Sequence, residues 1–313
     1  MKTMSYEFTI IAGTANPALA VAIAGELGIQ LGACNIDRFP DGEMAVQLRE
    51  PVRRKEVFLV QSNSSPVNDH LVELLVLADA CRRAAAACIT AIVPYLGYAR
   101  ADKRHGRLEP ITGRMVADLL QVVGIAHVIT MDLHTPQIEG FFYVPTDSLT
   151  AVPTVCQALC DWLPADVVVV SPDGGRVGMA SHYAQCLGAP VIVLHKRRES
   201  GSETKVTHII GDVSGRACLL VDDMISTGGT MAESIIALLA AGARPEIIVA
   251  ATHGLFLMGA RAKLEHPAVR AVFVTDTVSV TEKDWAQLHV VPIAPLIGSS
   301  LKRFLADGSN GNL

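Results

Sequence analysis

The chain has 313 residues, which at about 150 residues per domain predicts two domains with sizeable hydrophobic cores. Hydrophobic residues make up 50% of the sequence, and this fraction excludes a largely disordered protein. The net charge of −5 argues against general nucleic-acid affinity, so no nucleic-acid partner is expected.

The seven cysteines are an odd number, contain no CxxC pair and stand mostly among apolar residues. This usage is typical of a reduced, cytoplasmic protein. The apolar stretch PALAVAIAG follows Glu7 and a strand-like segment and precedes Glu26, so it does not fit a secretory signal. The sequence has no apolar run of about 18 residues, and we therefore expect no transmembrane helix and no membrane partner.

In chain order, short apolar segments alternate with segments of helical periodicity, a pattern typical of parallel α/β domains. Strands are predicted at 8–13, 56–61, 88–94, 127–131, 167–170, 191–194, 218–221, 247–251 and 272–275, and the helices include 18–27, 67–83 and 112–123.

The alternation repeats after a turn-prone PTDS segment at 145–148, which predicts a domain boundary there. We therefore expect an N-terminal α/β domain at 1–148 and a similar C-terminal domain at 149–313. A last helix, at about residues 295–305, is expected to pack back on the N-terminal domain.

Two charged segments stand out in the first half. DRFPDGE, at 37–43, has the Pro, Asp and Gly of a hairpin turn. PYLGYARADKRHGR, at 94–107, follows a strand and concentrates four cations in one loop. This loop is either a solvated charge cluster or a triphosphate clamp, because arginine binds phosphate with two parallel hydrogen bonds.

Three further segments are ambiguous from composition alone. VITMDLHTPQIEGFF places His134 just beyond a strand, where a lone histidine is more often structural than a ligand. VVVVSPDGG leads from a strand into Asp173, which suits a binding role or an N-cap of the next helix equally well. HKRRESGSETK, at 195–205, has the composition of an exposed hairpin.

The segment most specific for function is ACLLVDDMISTGGTMAESIIALLAAGA, at 217–243. A buried strand is followed by Asp222 and Asp223, whose carboxylates at the carboxyl end of a parallel strand can reach sugar hydroxyls. The next residues, 226–230, supply hydroxyl groups, two glycines and a helix N-terminus, which together suit a phosphate. A sugar-phosphate site is predicted; the alternative is an acidic turn before an ordinary helix cap.

This last segment resembles the loop that binds phosphoribosyl pyrophosphate (PRPP) in type I phosphoribosyltransferases and in the PRPP synthetase, or ribose-phosphate pyrophosphokinase, family. The other segments resemble PRPP synthetase motifs such as PYxxYARxD, MDLHxxQIxGFF and SPDxGG, in the family's order. A phosphoribosyltransferase explains only the loop. The resemblance implies an α/β fold of two tandem type I phosphoribosyltransferase-like domains, each with a mainly parallel sheet flanked by helices.

The resemblance also implies the reaction: the pyrophosphoryl group of ATP is transferred to the 1-hydroxyl of ribose 5-phosphate, giving PRPP and AMP for nucleotide biosynthesis. It implies Mg2+ as cofactor, and at least a dimer, because the adenine segment acts across a subunit interface. Its implied ATP contacts are Phe39, Asp41, Glu43, Arg100, Asp102 and His134.

For ribose 5-phosphate, the implied contacts are Asp222, Asp223, Ser226, Thr227, Gly228, Gly229 and Thr230. Lys196 and Arg198 are the implied catalytic residues on a flexible loop, and His134 and Asp173 are the implied metal ligands. Asp222 and Asp223 are also implied to hold magnesium, directly or through water.

Three residues of these motifs depart from the family's usual pattern. Ala101 replaces a glutamine, Arg176 replaces the second glycine of SPDxGG, and Ser226 replaces an aspartate of the common bacterial and animal enzymes. A side chain at Arg176 either narrows the site or adds a phosphate contact. These departures keep two alternatives open: a catalytically silent homologue that binds true synthetases, and a phosphoribosyltransferase.

Overall fold

The structure is a computed structural model that describes residues 7–104, 106–198, 204–282 and 284–307, with only the backbone at 196–198, 204–207 and 307. The strands are β1 (Phe8–Ala12), β2 (Cys34–Arg38), β3 (Met44–Leu48), β4 (Glu56–Val60), β5 (Cys88–Val93), β6 (His127–Met131), β7 (Thr146–Leu149), β8 (Val168–Ser171), β9 (Val191–Arg198), β10 (Thr204–Ile210), β11 (Cys218–Ile225), β12 (Ile247–Gly254), β13 (Val269–Thr275) and β14 (Leu288–Val291). The helices are α1 (Pro17–Glu26), α2 (Val67–Arg83), α3 (Thr112–Val122), α4 (Val152–Leu159), α5 (Val177–Leu187), α6 (Gly229–Ala240), α7 (Ala260–Leu264) and α8 (Ala294–Asp307).

The chain divides into two compact units. The first contains the residues up to Leu149, Thr277–Ser279 and the residues from Ile293 onward, and therefore includes α8. The second contains Thr150–Asp276 and Val280–Pro292. No helix in the described part of the chain is both long enough and apolar enough to cross a bilayer.

The first unit is built on a five-stranded sheet in the order β1-β4-β5-β6-β7, and all its neighbours are parallel. Parallel strands need crossover connections, which α2 and α3 supply. Their apolar faces, including Leu74, Leu77 and Leu120, pack on sheet residues such as Leu59 and Ala91 to form the core. Strands β2 and β3 form a separate antiparallel hairpin.

The second unit is built on a seven-stranded sheet in the order β10-β9-β8-β11-β12-β13-β14. Every pairing is parallel except that of β9 with β10. Its core contains Leu220, Val249 and Val272 of the sheet and Ile235 and Leu238 of α6. The predicted α/β class, with a mainly parallel sheet in each of two domains, is confirmed.

Strands β9 and β11 run four residues further than the sequence indicated, to Arg198 and Ile225. The polar residues of β11 remain in the strand because pairing with β12 continues from Asp222↔Ala251 to Ile225↔Gly254. β9 extends because β10 returns antiparallel beside it. The expected turn at Asp222 and Asp223 is therefore wrong, and the turn begins at Ser226.

Helix α8 packs against α1 within the first unit. Gly298 permits this approach, because a Cβ at that position would lie 2.6 Å from the Cβ of Glu26. The ring of Phe304 lies edge-on to Phe58 of β4, with 5.8 Å between ring centroids. The same ring stacks on His127 of β6 at 5.2 Å.

His127 is 3% exposed, and its Nε2 lies 2.9 Å from Oδ2 of Asp147 on β7. Its Nδ1 atom is buried and has no hydrogen-bond partner among the described residues. A protonated ring would therefore bury an unsatisfied N–H. Burial lowers the pKa of His127 below its ordinary value, although the Asp147 carboxylate acts in the opposite direction.

This depressed pKa predicts a loss of stability in mild acid. Above the ordinary histidine pKa of about 6.5, neither the folded nor the unfolded His127 carries a proton. As the pH falls below that value the unfolded state takes up a proton first, so the unfolding temperature should fall until the folded pKa is passed. His127→Gln should lose less stability than wild type between pH 7.5 and 5.5 in thermal unfolding. His208→Gln, at an exposed residue of β10, is the control, and equal acid losses in all three proteins would contradict the prediction.

Candidate active site

The acidic pair of β11 lies at the centre of the second sheet. Strand β11 is flanked by β8 and β12, and all of its residues are buried. As whole residues, Asp222 is 8% exposed and Asp223 is 1% exposed. The backbone N–H of Asp223 donates to Oδ1 of Asp222 at 2.9 Å. Two adjacent carboxylates are therefore held, largely out of water, near the carboxyl end of a central parallel strand.

Arg176 pairs with both carboxylates. Its Nε lies 3.1 Å from Oδ1 of Asp222 and 3.1 Å from Oδ1 of Asp223. The residue ends the 3₁₀ turn Gly174–Arg176, which follows β8 and lies against β11. The contact that the structure shows for this side chain is with the chain's own acidic pair, and the two roles that the sequence left open for it stay predictions.

Burial, followed by the neighbouring charge of Asp223, raises the pKa of Asp222 well above its usual value. The positive charge of Arg176 acts in the opposite direction. A buried pair of carboxylates repels itself, so one of the two retains a proton more readily than an exposed aspartate does. The positive charge of Arg176 therefore reduces the free-energy cost of ionising the two buried carboxylates.

The predicted phosphate loop follows β11 directly. Ser226, Thr227 and Gly228 form the turn, and α6 begins at Gly229. The side chains of Thr227 and Thr230 are at exposed residues, whereas Gly228 is buried. The first N–H groups of α6 are directed toward the loop, as expected for an anion site at a helix N-terminus.

Gly228 has φ of 70°, a left-handed conformation that favours glycine. A Cβ on this residue would lie 3.1 Å from the carbonyl oxygen of Ala260. Gly229 has an ordinary helical backbone, and a Cβ there would meet only Oγ1 of Thr227, at 3.6 Å. The two glycines of the loop thus have different structural reasons to be present.

Asp173 follows β8 and caps the turn that carries Arg176. Its Oδ1 accepts a hydrogen bond from the N–H of Gly175 at 2.8 Å, and Oγ of Ser171 donates to its carbonyl at 2.7 Å. The N-cap alternative for Asp173 is therefore observed. The residue is only partly buried, which leaves the carboxylate accessible as well.

Lys196 and Arg198 belong to the last residues of β9. Their backbones pair with Val206 and Thr204 of β10, so both lie on an antiparallel hairpin at the edge of the sheet. Their side chains and the connecting residues 199–203 lie outside the described part of the structure, and their implied catalytic role stays a prediction.

In the first unit, three of the expected ATP-binding residues follow two neighbouring parallel strands, β5 and β6: Arg100, Asp102 and His134. Arg100 and Asp102 lie in the segment after β5, where Arg100 is exposed. Oγ1 of Thr135, the residue after His134, donates to Oδ2 of Asp102 at 2.9 Å. The structure therefore brings these two segments together at the carboxyl edge of the sheet.

Phe39, Asp41 and Glu43 lie on the connection between β2 and β3. The N–H of Phe39 bonds the carbonyl of Glu43 at 2.8 Å, and the N–H of Glu43 bonds Oδ1 of Asp41 at 3.1 Å. The hairpin that composition predicts is present. Phe39 is 54% exposed, so its ring is accessible at this turn.

The two predicted metal ligands belong to different units. His134 belongs to the first unit and Asp173 to the second. Among the described residues, no group of three or more His, Cys, Asp or Glu side chains is arranged to hold a metal ion.

Sequence reasoning missed one cation beside the loop. Nζ of Lys263, in α7, donates to the carbonyl of Thr227 at 2.9 Å. Thirty-six residues separate the two, and no local motif marks Lys263. Only the fold brings this ammonium group to the phosphate loop.

The contrast between the loop glycines gives a testable prediction. Gly228→Ala should lower the free energy of unfolding of the second unit by about 1–2 kcal/mol, because an L residue is strained at this positive φ. Gly229→Ala should leave it unchanged or raise it slightly, because alanine favours helices. Thermal or denaturant unfolding of both variants without ligands measures the difference. Equal effects of the two substitutions would show that the left-handed turn is not required.

Comparison with known proteins places the whole chain in one family. Residues 8–124 match the N-terminal domain of ribose phosphate pyrophosphokinase, and residues 148–290 match the phosphoribosyl transferase domain. The ribose-phosphate pyrophosphokinase of Caldanaerobacter subterraneus subsp. tengcongensis is 43% identical over 94% of this chain and 93% of its own length. That of Bradyrhizobium diazoefficiens is 39% identical over 100% of this chain and 99% of its own.

A solved structure agrees with these sequence relatives. The crystal structure of phosphoribosylpyrophosphate synthetase from Mycobacterium smegmatis matches with a TM-score of 0.90 and 40% identity, over 97% of this chain and 100% of that chain. The resemblance drawn from the motifs is confirmed. The chain belongs to the ribose-phosphate pyrophosphokinase family.

Proposed function

We propose that this chain transfers the pyrophosphoryl group of ATP to the 1-hydroxyl of ribose 5-phosphate, giving PRPP and AMP. One observation supports this most strongly: a buried acidic pair and a glycine-containing helix start follow each other on a single strand, loop and helix. Carboxylates accept hydrogen bonds from sugar hydroxyls, and the helix N-terminus binds a phosphate. The two halves of ribose 5-phosphate thus have complementary partners a few residues apart.

In this proposal, Asp222 and Asp223 bind the ribose hydroxyls. Loop residues hold the 5-phosphate through hydroxyl groups and backbone N–H groups; they are Ser226, Thr227, Gly228, Gly229 and Thr230. The ammonium group of Lys263, held on the Thr227 carbonyl, adds positive charge beside them.

The first unit is proposed to bind ATP at the carboxyl edge of β5 and β6. Arg100 offers a planar, permanently charged donor for the phosphates. Asp102 and His134 belong to the two segments that the Thr135 hydrogen bond joins. Phe39, with Asp41 and Glu43, would contact the adenine of a neighbouring subunit, because an exposed aromatic ring can stack on a base. The proposal therefore includes at least a dimer.

In the reaction, the 1-hydroxyl oxygen forms a bond to the β-phosphorus, and the bond from that phosphorus to the oxygen of the α-phosphate breaks. AMP leaves with that oxygen, and the hydroxyl proton is released. Negative charge increases on the bridging and terminal oxygens, so fixed cations lower the barrier by electrostatic stabilisation. Lys196 and Arg198 are proposed to supply that charge, and Arg100 to position the phosphates.

Magnesium is part of the proposal, and the chain's residues fit it unequally. The partly exposed carboxylate of Asp173 offers the oxygen ligand that Mg2+ prefers, and His134 would be one contact among phosphate oxygens and water. The carboxylates of Asp222 and Asp223 already contact a guanidinium. When bound, Mg2+ supplies positive charge to the polyphosphate oxygens. A cytoplasmic location is proposed with this nucleotide chemistry.

The catalytic assignment predicts a loss of turnover. Lys196→Ala and Arg198→Ala should each lower kcat by at least about 100-fold, because each would remove a cation from the transition state. KM for both substrates should change much less. Arg197→Ala, between them on β9, is the matched control and should keep most of the activity. Near-normal kcat in Lys196→Ala and Arg198→Ala would reject the assignment.

The activity itself is tested by following AMP formation from ATP with and without ribose 5-phosphate. Strict dependence on ribose 5-phosphate supports the pyrophosphokinase. Absence of AMP over a range of Mg2+ and phosphate concentrations would favour a silent homologue instead. Consumption of PRPP with a free base would indicate a phosphoribosyltransferase.

A further inference from the structure

The proposed reaction assigns no role to Arg176. Its guanidinium is directed into the acidic pair, and the three side chains are 14%, 11% and 1% exposed for Arg176, Asp222 and Asp223. A surface ion pair contributes little and exchanges readily with water. This contact is instead largely removed from solvent and involves two acceptors at equal distance.

The backbone does not require a glycine at this position. Arg176 has φ of −102° and ψ of 3°, which non-glycine residues adopt, and it directly precedes the first residue of α5. The glycine of the SPDxGG pattern, which this residue replaces, has no side chain and could not reach the acidic pair. The side chain of Arg176 therefore supplies a cation that a glycine at this position could not.

The chemistry of the guanidinium decides what else can bind these carboxylates. Arginine stays protonated at all physiological pH values and carries only hydrogen-bond donors. A divalent cation on the same Oδ1 atoms would lie within a few ångströms of that fixed charge, and the two cations would repel each other. Ribose hydroxyls differ, because they can donate to the carboxylates and accept from the guanidinium at the same time.

We propose that Arg176 takes the place of a divalent metal ion at the acidic pair, and so holds Asp222 and Asp223 ready for a sugar diol without metal at these two carboxylates. The identity of the sugar rests on the proposed function, whereas the exclusion of metal rests on the ion pair alone. Metal that acts on the phosphates, at Asp173 or on ATP, is unaffected by this proposal.

The test measures metal binding by the full-length protein without substrates. Mn2+ is titrated into wild type and Arg176→Met, and free Mn2+ is followed by electron paramagnetic resonance. Arg176→Met should gain one Mn2+ per chain over wild type, because the variant leaves two adjacent carboxylates without their cation. Arg176→Lys should resemble wild type, because it keeps a positive charge at this position.

Two further variants locate the gained ion. The double variant Arg176→Met with Asp223→Asn should lose it. Arg244→Met is the matched control: Arg244 binds the carboxylate of Asp166 at 2.8 and 3.1 Å, but these two side chains are 34% and 47% exposed. Removing that arginine should leave Mn2+ binding as in wild type. Added Mn2+ should also raise the unfolding temperature of Arg176→Met by several degrees more than that of wild type.

Equal Mn2+ binding by folded Arg176→Met and wild type would overturn the proposal. If Arg176→Met does not fold, Asp223→Asn in the wild-type background decides: unchanged Mn2+ binding supports the proposal, and loss of one Mn2+ overturns it. If the metal tests give the expected results but the protein makes no AMP from ATP and ribose 5-phosphate, the proposed function is refuted. The proposed exclusion of metal by Arg176 then still stands.

Discussion

Parallel pairing of β11 with β8 and β12 is the constraint on which the candidate site depends. Because the pairing is parallel, the carboxyl ends of the three strands lie at the same edge of the sheet. At this edge β8 is followed by the turn of Asp173 and Arg176, and β11 is followed by the predicted phosphate loop. Because pairing with β12 persists to Ile225, the acidic pair is buried inside the strand rather than exposed on a turn. Burial makes the ionised carboxylates energetically unfavourable because it removes their hydration, and this free-energy cost explains why a cation is found beside them.

The sequence was sufficient for the local features of the fold. Apolar runs with helical segments between them predicted most strands and helices to within a few residues, and the glycines and hydroxyl residues predicted the loop at 226–230. These features depend on neighbours along the chain. Strands β7 and β14, of four residues each, were missed, and β2, β3 and β10 were also not predicted as strands.

Contacts between residues that are distant along the chain could not be predicted from the sequence. Arg176 was visible as a departure from a glycine pattern, but its partners lie 46 and 47 residues away and are reached only because β8 and β11 are adjacent. No sequence motif indicated Lys263, because its contact with the loop is made to a backbone carbonyl. The extension of β11 was also missed, because Asp222 and Asp223 are residues that favour turns and a strand's end is decided by its partner.

The ion pair changes the electrostatic balance of a site that we propose to bind a sugar phosphate. Two carboxylates beside a phosphate loop repel a sugar phosphate unless a cation compensates them. A metal ion compensates only at concentrations that keep it bound, whereas an arginine in the sequence is present in every molecule and in one geometry. The proposed exchange of glycine for arginine therefore makes the sugar end of the site independent of metal supply. Dependence on Mg2+ would then remain only where the polyphosphate carries its charge.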